Sequence, residues 1–206
     1  MADIVYVPDY SEPWQPVMAK AVKLYLDQEA VAHGVISPEH IIGTPDRVVK
    51  AFQEYFRGCA INPADCLNTD FSSGKYDEMV HKEVAFVSNC CHHLAAIIAK
   101  AHFAYIPNGR IVGLSKINRF INVLAKRPQI QEQLCSDIAD VFQESKIAPA
   151  GCGVIIRGYH MCTIARGVEE RPSLMETTAL RGVFKTDPEV RQEFLASIDR
   201  SSPVFP

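Results

Sequence analysis

The chain has 206 residues, 48% hydrophobic and 22% charged, with a formal net charge of −3; this is the make-up of an ordinary soluble protein, long enough for one sizeable domain or a domain with a helical extension. That charge gives no electrostatic case for a nucleic-acid or anionic-membrane partner, and no apolar run approaches the roughly 20 residues needed to span a bilayer. The N-terminus lacks the basic and apolar segments of a secretory leader, so a cytoplasmic protein whose seven cysteines stay reduced is expected.

The first dozen residues carry Pro8, with Pro13 and Pro16 close behind, and read as an extended arm. Val17, Ala21, Leu24 and Tyr25 then recur at helical spacing and predict a helix that ends near His33-Gly34. Thr44-Pro45-Asp46-Arg47 reads as a second helix start, with Thr44 as cap, Pro45 in the first turn and Asp46 at the positive end of the dipole; Val48, Phe52 and Phe56 form its buried stripe. This third of the chain reads as a helical layer that packs and assembles. Residues 58–74 are polar and irregular, with Asn62-Pro63 and Ser72-Ser73-Gly74 as turn signals, which places a boundary between a helical segment 1–57 and a second domain 58–206.

Val84, Phe86 and Ser88 form a strand-like run that leads into Cys90-Cys91-His92-His93, and residues 99–106 predict a second strand. Pro107-Asn108-Gly109 is a turn signal and predicts a hairpin into Ile111-Val112-Gly113. Ser115 reads as the cap of a helix with Ile117, Phe120, Ile121 and Leu124 on one face, and Pro128 as the start of another with Ile130, Leu134, Ile138, Val141 and Phe142 inward. Residues 151–159, 162–168 and 175–183 predict further strands, and 188–198 a closing helix. Two strands, two helices and two strands after a helical start predict an α+β fold with an antiparallel sheet. No repeat or heptad pattern appears.

Chemistry concentrates at Cys90-Cys91-His92-His93. Thiolate and imidazole are the donors zinc prefers, but adjacent side chains diverge, so a closed site needs a ligand from elsewhere. His160-Met161-Cys162 is the best source. Cys90, His93 and Cys162 are therefore read as three ligands with a fourth position left for water, which describes a catalytic zinc, with His92 and His160 as acid/base groups beside it. The bland alternative is two buried thiols and two ordinary histidines. Lys116 and Arg119, three apart on one helix, can hold phosphates as point charge and fork, or simply form a solvated basic face. Gln131 and Glu132 can hydrogen-bond a purine edge, or serve solubility alone, and Arg166 adds charge near the metal set. Phosphate-cradling glycine loops are absent from the sequence.

From Thr44 onward the chain resembles the GTP cyclohydrolase I family. The likeness is densest in residues 101–107, Gly113-Leu114-Ser115-Lys116-Ile117-Asn118-Arg119, Arg127-Pro128-Gln129-Ile130-Gln131-Glu132, His160-Met161-Cys162, Arg166-Gly167-Val168 and residues 191–198. The resemblance implies a zinc enzyme that opens the imidazole ring of GTP at C8, releases formate and forms 7,8-dihydroneopterin triphosphate. It also implies a tunnelling fold for 58–206, whose β-β-α-α-β-β units join as a homo-oligomer, a decamer with active sites between subunits. By the same likeness Cys90, His93 and Cys162 match zinc ligands, His92 a proton shuttle at purine N7, and His160 a group near the ribose ring oxygen. Ser115 matches a ribose contact; Lys116, Arg119 and Arg166 match triphosphate contacts; Gln131 and Glu132 match guanine contacts. One departure stands out: the family usually reads Cys-Glu-His-His, whereas Cys91 occupies the carboxylate's place here. A thiol is a poorer acceptor and ordinarily neutral near pH 7. The alternative is therefore a divergent paralogue that stalls after ring opening, takes another purine nucleotide such as dGTP, or binds and regulates without turnover.

Overall fold

Length and helical periodicity at the N-terminus and period-two patterning beyond it separate the chain into two compact units, Met1–Glu54 and Tyr55–Pro206. The computed structural model describes residues 13–170, 173–198 and 203–204; the expected extended arm over the first dozen residues lies outside them. In the first unit α1 (Trp14–Tyr25) runs on into a π-helical stretch, Leu26–Val31, followed by α2 (Pro38–Ile41) and α3 (Thr44–Tyr55). Pro16 sits in the first turn of α1, where a missing N–H costs nothing. No described residue of α1 or α3 is buried, and Trp14, Val17, Leu24 and Tyr25 are exposed.

In the second unit a five-stranded sheet has the order β5-β2-β3-β6-β7. Its strands are β2 (Val80–Cys90), β3 (Ala96–Ile106), β5 (Pro128–Gln129), β6 (Gly151–His160) and β7 (Leu174–Gly182). All neighbours are antiparallel except β5, which lies parallel to the end of β2 with Asn89 opposite Pro128 and Cys90 opposite Gln129. Alternation sends Val84, Phe86, Ala101, Phe103, Tyr105, Val154 and Ile156 to one face, where they meet α4 (Leu114–Ala125) and α5 (Gln131–Gln143) through Ile117, Phe120, Leu124, Ile138 and Phe142. The α+β order β-β-α-α-β-β expected of a tunnelling-fold unit is the order found. Arg181 of β7 pins α5 by donating to Asp140 Oδ2 (2.9 Å) and Ser136 Oγ (2.8 Å). That guanidinium holds the Asp140 carboxyl below the usual range, so its contribution to stability is complete at neutral pH and is lost as pH falls through the lowered folded-state pKa.

The opposite face is covered in part by α7 (Val183–Thr186) and α8 (Pro188–Ala196), whose Phe184 and Phe194 pack on Ala104 and Ile155. Gly153 makes this approach possible: a Cβ there would lie 2.7 Å from a Phe194 ring carbon and 2.8 Å from one of Phe184. Gly153→Ala is expected to overpack this layer and cost about 1–3 kcal/mol, read as a lower urea midpoint at unchanged slope.

Seven local expectations are corrected. Thr44, read as a cap, is the first residue of α3, and Ile130, read as facing inward, is exposed. Gly109 does turn the chain with φ 84°, but β4 (Arg110–Val112) pairs with β1 (Asp70–Ser72) and makes no hairpin with β3. Asp70 draws it there by pairing with Arg110 and with Lys146 at 2.8 Å. The stretch expected to be irregular holds β1 and two 3-10 turns, Arg57–Ala60 and Pro63–Leu67, the second capped by Asn62 accepting from the Ala64 N–H at 3.2 Å. Ser115 lies inside the first turn of α4, whose cap is Gly113. Pro128 starts no helix: it joins β5, and α5 begins at Gln131 after an extended Ile130. Residues 162–168 are not a strand, because α6 (Met161–Ile164) follows β6 at once, Thr163 Oγ1 donates to the His160 carbonyl at 3.0 Å, and Gly167 turns with φ 68°.

Candidate metal centre and active site

The tight link between β2 and β3 positions the Cys-Cys-His-His run. Cys90 N–H donates to Ala95 O (2.9 Å) and Leu94 N–H to Cys90 O (2.8 Å), while the buried Asn89 donates through Nδ2 to Leu94 O at 3.0 Å. Leu94 takes a left-handed φ of 53°, a conformation that a bulky residue adopts only when its surroundings impose it. From the other side Cys91 N–H donates to Gln129 O at 2.9 Å, so β5 fixes the turn from its open edge. Gln129 is itself held by its Nε2 donating to Leu124 O at 2.9 Å.

Across β3, Ile97 stands opposite His160, the last residue of β6, and α6 then turns Cys162 back toward Cys90. One donor atom each from Cys90, His93 and Cys162 lies within 4.8 Å of the other two. In a tetrahedral zinc site, bond lengths of about 2.0–2.3 Å put donors roughly 3.4–3.8 Å apart, so a small contraction closes these three on one ion. Cys90 is buried, Cys162 half-buried and His93 exposed, which leaves the outer side of the cluster open to solvent. Soft sulfur, borderline nitrogen and an open side fit a zinc-class dication. Burial, and after it the Cys90 sulfur, push the Cys162 thiol above its ordinary pKa; a bound dication would reverse that by taking the thiolate.

His92 is exposed, with its Nδ1 3.6 Å from Cys90 Sγ. His160 is half-buried, and its Nε2 lies 2.9 Å from Gln131 Oε1. Gln131 is 1% exposed, and its Nε2 faces Ile156 O, Met175 O and Thr177 Oγ1, each at 3.2 Å. Two carbonyls can only accept, so the amide orientation is set, Oε1 accepts from His160 Nε2–H, and His160 Nδ1 keeps its lone pair. Burial lowers the His160 pKa, with the charge of Glu132 opposing. Gly158 admits the Gln131 amide, since a Cβ there would lie 2.6 Å from Oε1.

The predicted residues therefore fall into two groups. Cys90, His92, His93, His160, Cys162 and Gln131 converge, with Glu132 and Arg166 near enough for their charges to act on His160 and Cys162. Ser115, Lys116 and Arg119 do not join them. β3 ends beside Val80, at the far end of β2 from Cys90, and α4 starts there and returns to deliver β5 beside Cys90. Lys116 is thus separated from the Cys90 end of the sheet by about 14 Å of helix, and it and Arg119 act on Cys66 instead. Sequence reasoning missed the inward bonding of Gln131 and the supports Asn89, Gln129 and Gly158. The only signal for them was an amide beside a carboxylate at the start of a helix and a glycine in a strand.

Fold and site together define an α+β protein with an open Cys-His-Cys cluster carried by the ends of two sheet strands and the turns after them. A profile of the GTP cyclohydrolase I family matches residues 20–199, and the chain belongs to that family. It is 41% identical over 161 residues to GTP cyclohydrolase 1 of Wolinella succinogenes, covering 78% of this chain and 86% of that protein. Against GTP cyclohydrolase 1 of Campylobacter concisus the identity is 44% over 162 residues, covering 78% and 85%. For that of Clostridium perfringens strain 13 it is 38% over 179 residues, covering 87% and 95%. Among solved structures, the apo archaeosine synthase QueF-Like covers 52% of this chain and 97% of its own, at a TM-score of 0.44 and 17% identity.

Proposed function

We propose that this chain is a zinc-dependent GTP cyclohydrolase I, which opens the guanine imidazole ring at C8, releases formate and yields 7,8-dihydroneopterin triphosphate. The observation that carries the reading is the convergence of Cys90, His93 and Cys162, in a chain of this family, onto one open-sided cluster. When bound there, zinc supplies Lewis acidity, the means by which water becomes a nucleophile near neutral pH. His92, exposed beside Cys90, moves the proton at purine N7. His160, with its Nε2–H committed to Gln131, offers Nδ1 to the ribose side. Glu132 is exposed and accepts from the guanine edge, whereas Gln131, turned inward, acts on the substrate through His160. Ser115 holds the ribose, and Lys116, Arg119 and Arg166 hold the triphosphate.

Because Lys116 lies at the far end of α4 from the cluster and Arg119 midway along it, their share of the triphosphate grip comes from a second copy of the chain, and Arg166 grips from the cluster side. Exposed Leu94, Ile130 and Val168, which flank the cluster residues in sequence, favour the same homo-oligomer. The test is direct: zinc-loaded protein and GTP are expected to give formate and, after oxidation, a fluorescent pterin in equal amounts. Neither product appearing would overturn the reading. Gln131→Leu keeps the side-chain volume but removes the acceptor for His160; turnover is expected to fall about a hundredfold with zinc content unchanged. Gly158→Ala, which crowds the same amide, is expected to reproduce that loss.

A second reading is favoured by Cys91, an exposed thiol where the family usually carries a carboxylate. On that reading the chain binds the nucleotide without completing turnover. Pterin formed by Cys91→Glu and by no other form of the protein would establish it; pterin formed by the natural chain would end it.

A further inference from the structure

On the sheet face opposite α4 and α5, a cavity of about 170 Å³ lies between α8 and the first half of β2. His102 of β3 lines it together with His81, Glu83 and the α8-side residues Phe194, Ser197 and Ile198. His102 is 4% exposed, and its Nε2 is buried with no hydrogen-bond partner among the described residues. A buried imidazole nitrogen left in this state calls for an explanation.

Hydrogen bonding fixes the tautomer of both histidines. His102 Nδ1 lies 3.1 Å from Glu83 Oε1; a carboxylate only accepts, so Nδ1 carries the proton and Nε2 the lone pair. His81 Nδ1 lies 3.2 Å from Ser197 Oγ, and the hydroxyl gives its single proton to the Phe194 carbonyl at 2.7 Å. Ser197 Oγ therefore accepts from His81, and His81 Nε2 likewise carries a lone pair. Glu83 pairs directly with His102 in the β2–β3 register, which makes His81, two residues along β2, the diagonal neighbour of His102 on the same face, within reach of long side chains. Burial keeps His102 neutral against the pull of Glu83, and Lys100 in turn pairs with Glu83 at 3.3 Å. Two imidazoles, each oriented by a bond at Nδ1, one of them to a carboxylate, form the arrangement that metal-binding histidines use.

We propose that His81 and His102 form a second metal site, taking a zinc-class dication on their Nε2 atoms with solvent completing the coordination. It is independent of the Cys90–His93–Cys162 cluster: His81 and Cys90 are separated by about 30 Å of extended strand, and neither histidine takes part in the proposed reaction. An ion here ties β2 to β3 under the end of α8.

Equilibrium dialysis of the full chain against Zn²⁺, with metal counted per chain, tests this. Two equivalents are expected in the natural chain and one in His81→Ala, which alters an exposed side chain and keeps the fold. Cys162→Ser is expected to keep one equivalent, lost when His81→Ala is added. Ser197→Ala releases the His81 tautomer and is expected to weaken the second equivalent by about 10–100-fold. A second equivalent that survives His81→Ala, or a single equivalent in the natural chain that survives it, overturns the proposal. A single equivalent that His81→Ala removes counts instead against the cluster and leaves this site standing.

Discussion

Cys162→Ser is expected to abolish pterin formation and strip the catalytic equivalent of zinc while leaving the fold intact. Removing an outer-shell partner of a metal typically costs 10–100-fold in affinity or activity; losing a ligand that must close the ring of donors costs more, and a loss of at least about a thousandfold is expected. The side chain sits half-buried on the short α6 and carries little of the core, so the thermal midpoint of the metal-free protein is expected to move little. The same substitution also separates the metal from the thiol chemistry around it. Cys91 is exposed one residue from Cys90, and its backbone N–H is tied to Gln129; with that backbone held, its sulfur is not a ready substitute for Cys162. If Cys162→Ser retains full zinc and turnover after its His81 site has been removed, Cys162 is no ligand and the catalytic reading fails. The metal should also be harder to hold in acid. Cys162 resists deprotonation through burial and the neighbouring Cys90, so protons compete with zinc for it, and the affinity is expected to rise with pH until the thiol is ionised.

Much of this architecture was readable because it rests on periodicity. Val84, Phe86, Ile117, Phe120, Leu124, Ile138 and Phe142 sit in the core as their spacing predicts, and the helix read from Thr44-Pro45-Asp46-Arg47 is present, although Thr44 lies inside it and Gly43 accepts from the Arg47 N–H in the cap position. The convergence of Cys90, His93 and Cys162 was readable because few residue types suit zinc and the matching partner of Cys90 and His93 lay beside another strand end. What failed was local signalling that long-range bonds override. Pro128 looks like a helix start, but Gln129 is pulled into pairing with Cys90, and that pairing also braces the turn that follows Cys90. Residues 162–168 look extended, but the chain must reverse where Thr163 bonds back to His160. The Gln131 side chain reads as polar surface, yet it is buried because two strands offer carbonyls to its amide. Such partners come from distant sequence and leave no periodic trace. The distance between Lys116 and the cluster belongs to the same class: it follows from where α4 begins in space, which spacing along the chain does not disclose.

That separation leads to the second large effect, an exchange between two inactive chains. On the proposed reading, Arg119→Ala damages the phosphate grip carried by α4 and Cys162→Ser damages the metal cluster, so each homo-oligomer is expected to be inactive or nearly so. If one site takes its metal half from one copy and its phosphate half from a neighbour, co-assembly of the two variants rebuilds intact sites. With random mixing at equal amounts, half of the metal ends and half of the phosphate ends are sound, so about a quarter of natural activity is expected to return in a cyclic or paired assembly. A site contained within one chain predicts no recovery at any ratio, because every chain then carries a damaged site. Mixed assembly must be verified by mass spectrometry of the intact oligomer, and activity measured as pterin from GTP. Verified mixed oligomers without recovered turnover would place Arg119 outside the site of any neighbouring copy. Recovery near one quarter would make the second copy a chemical participant, since α4, Leu114–Ala125, sets the proposed phosphate grip apart from the cluster end of the same subunit.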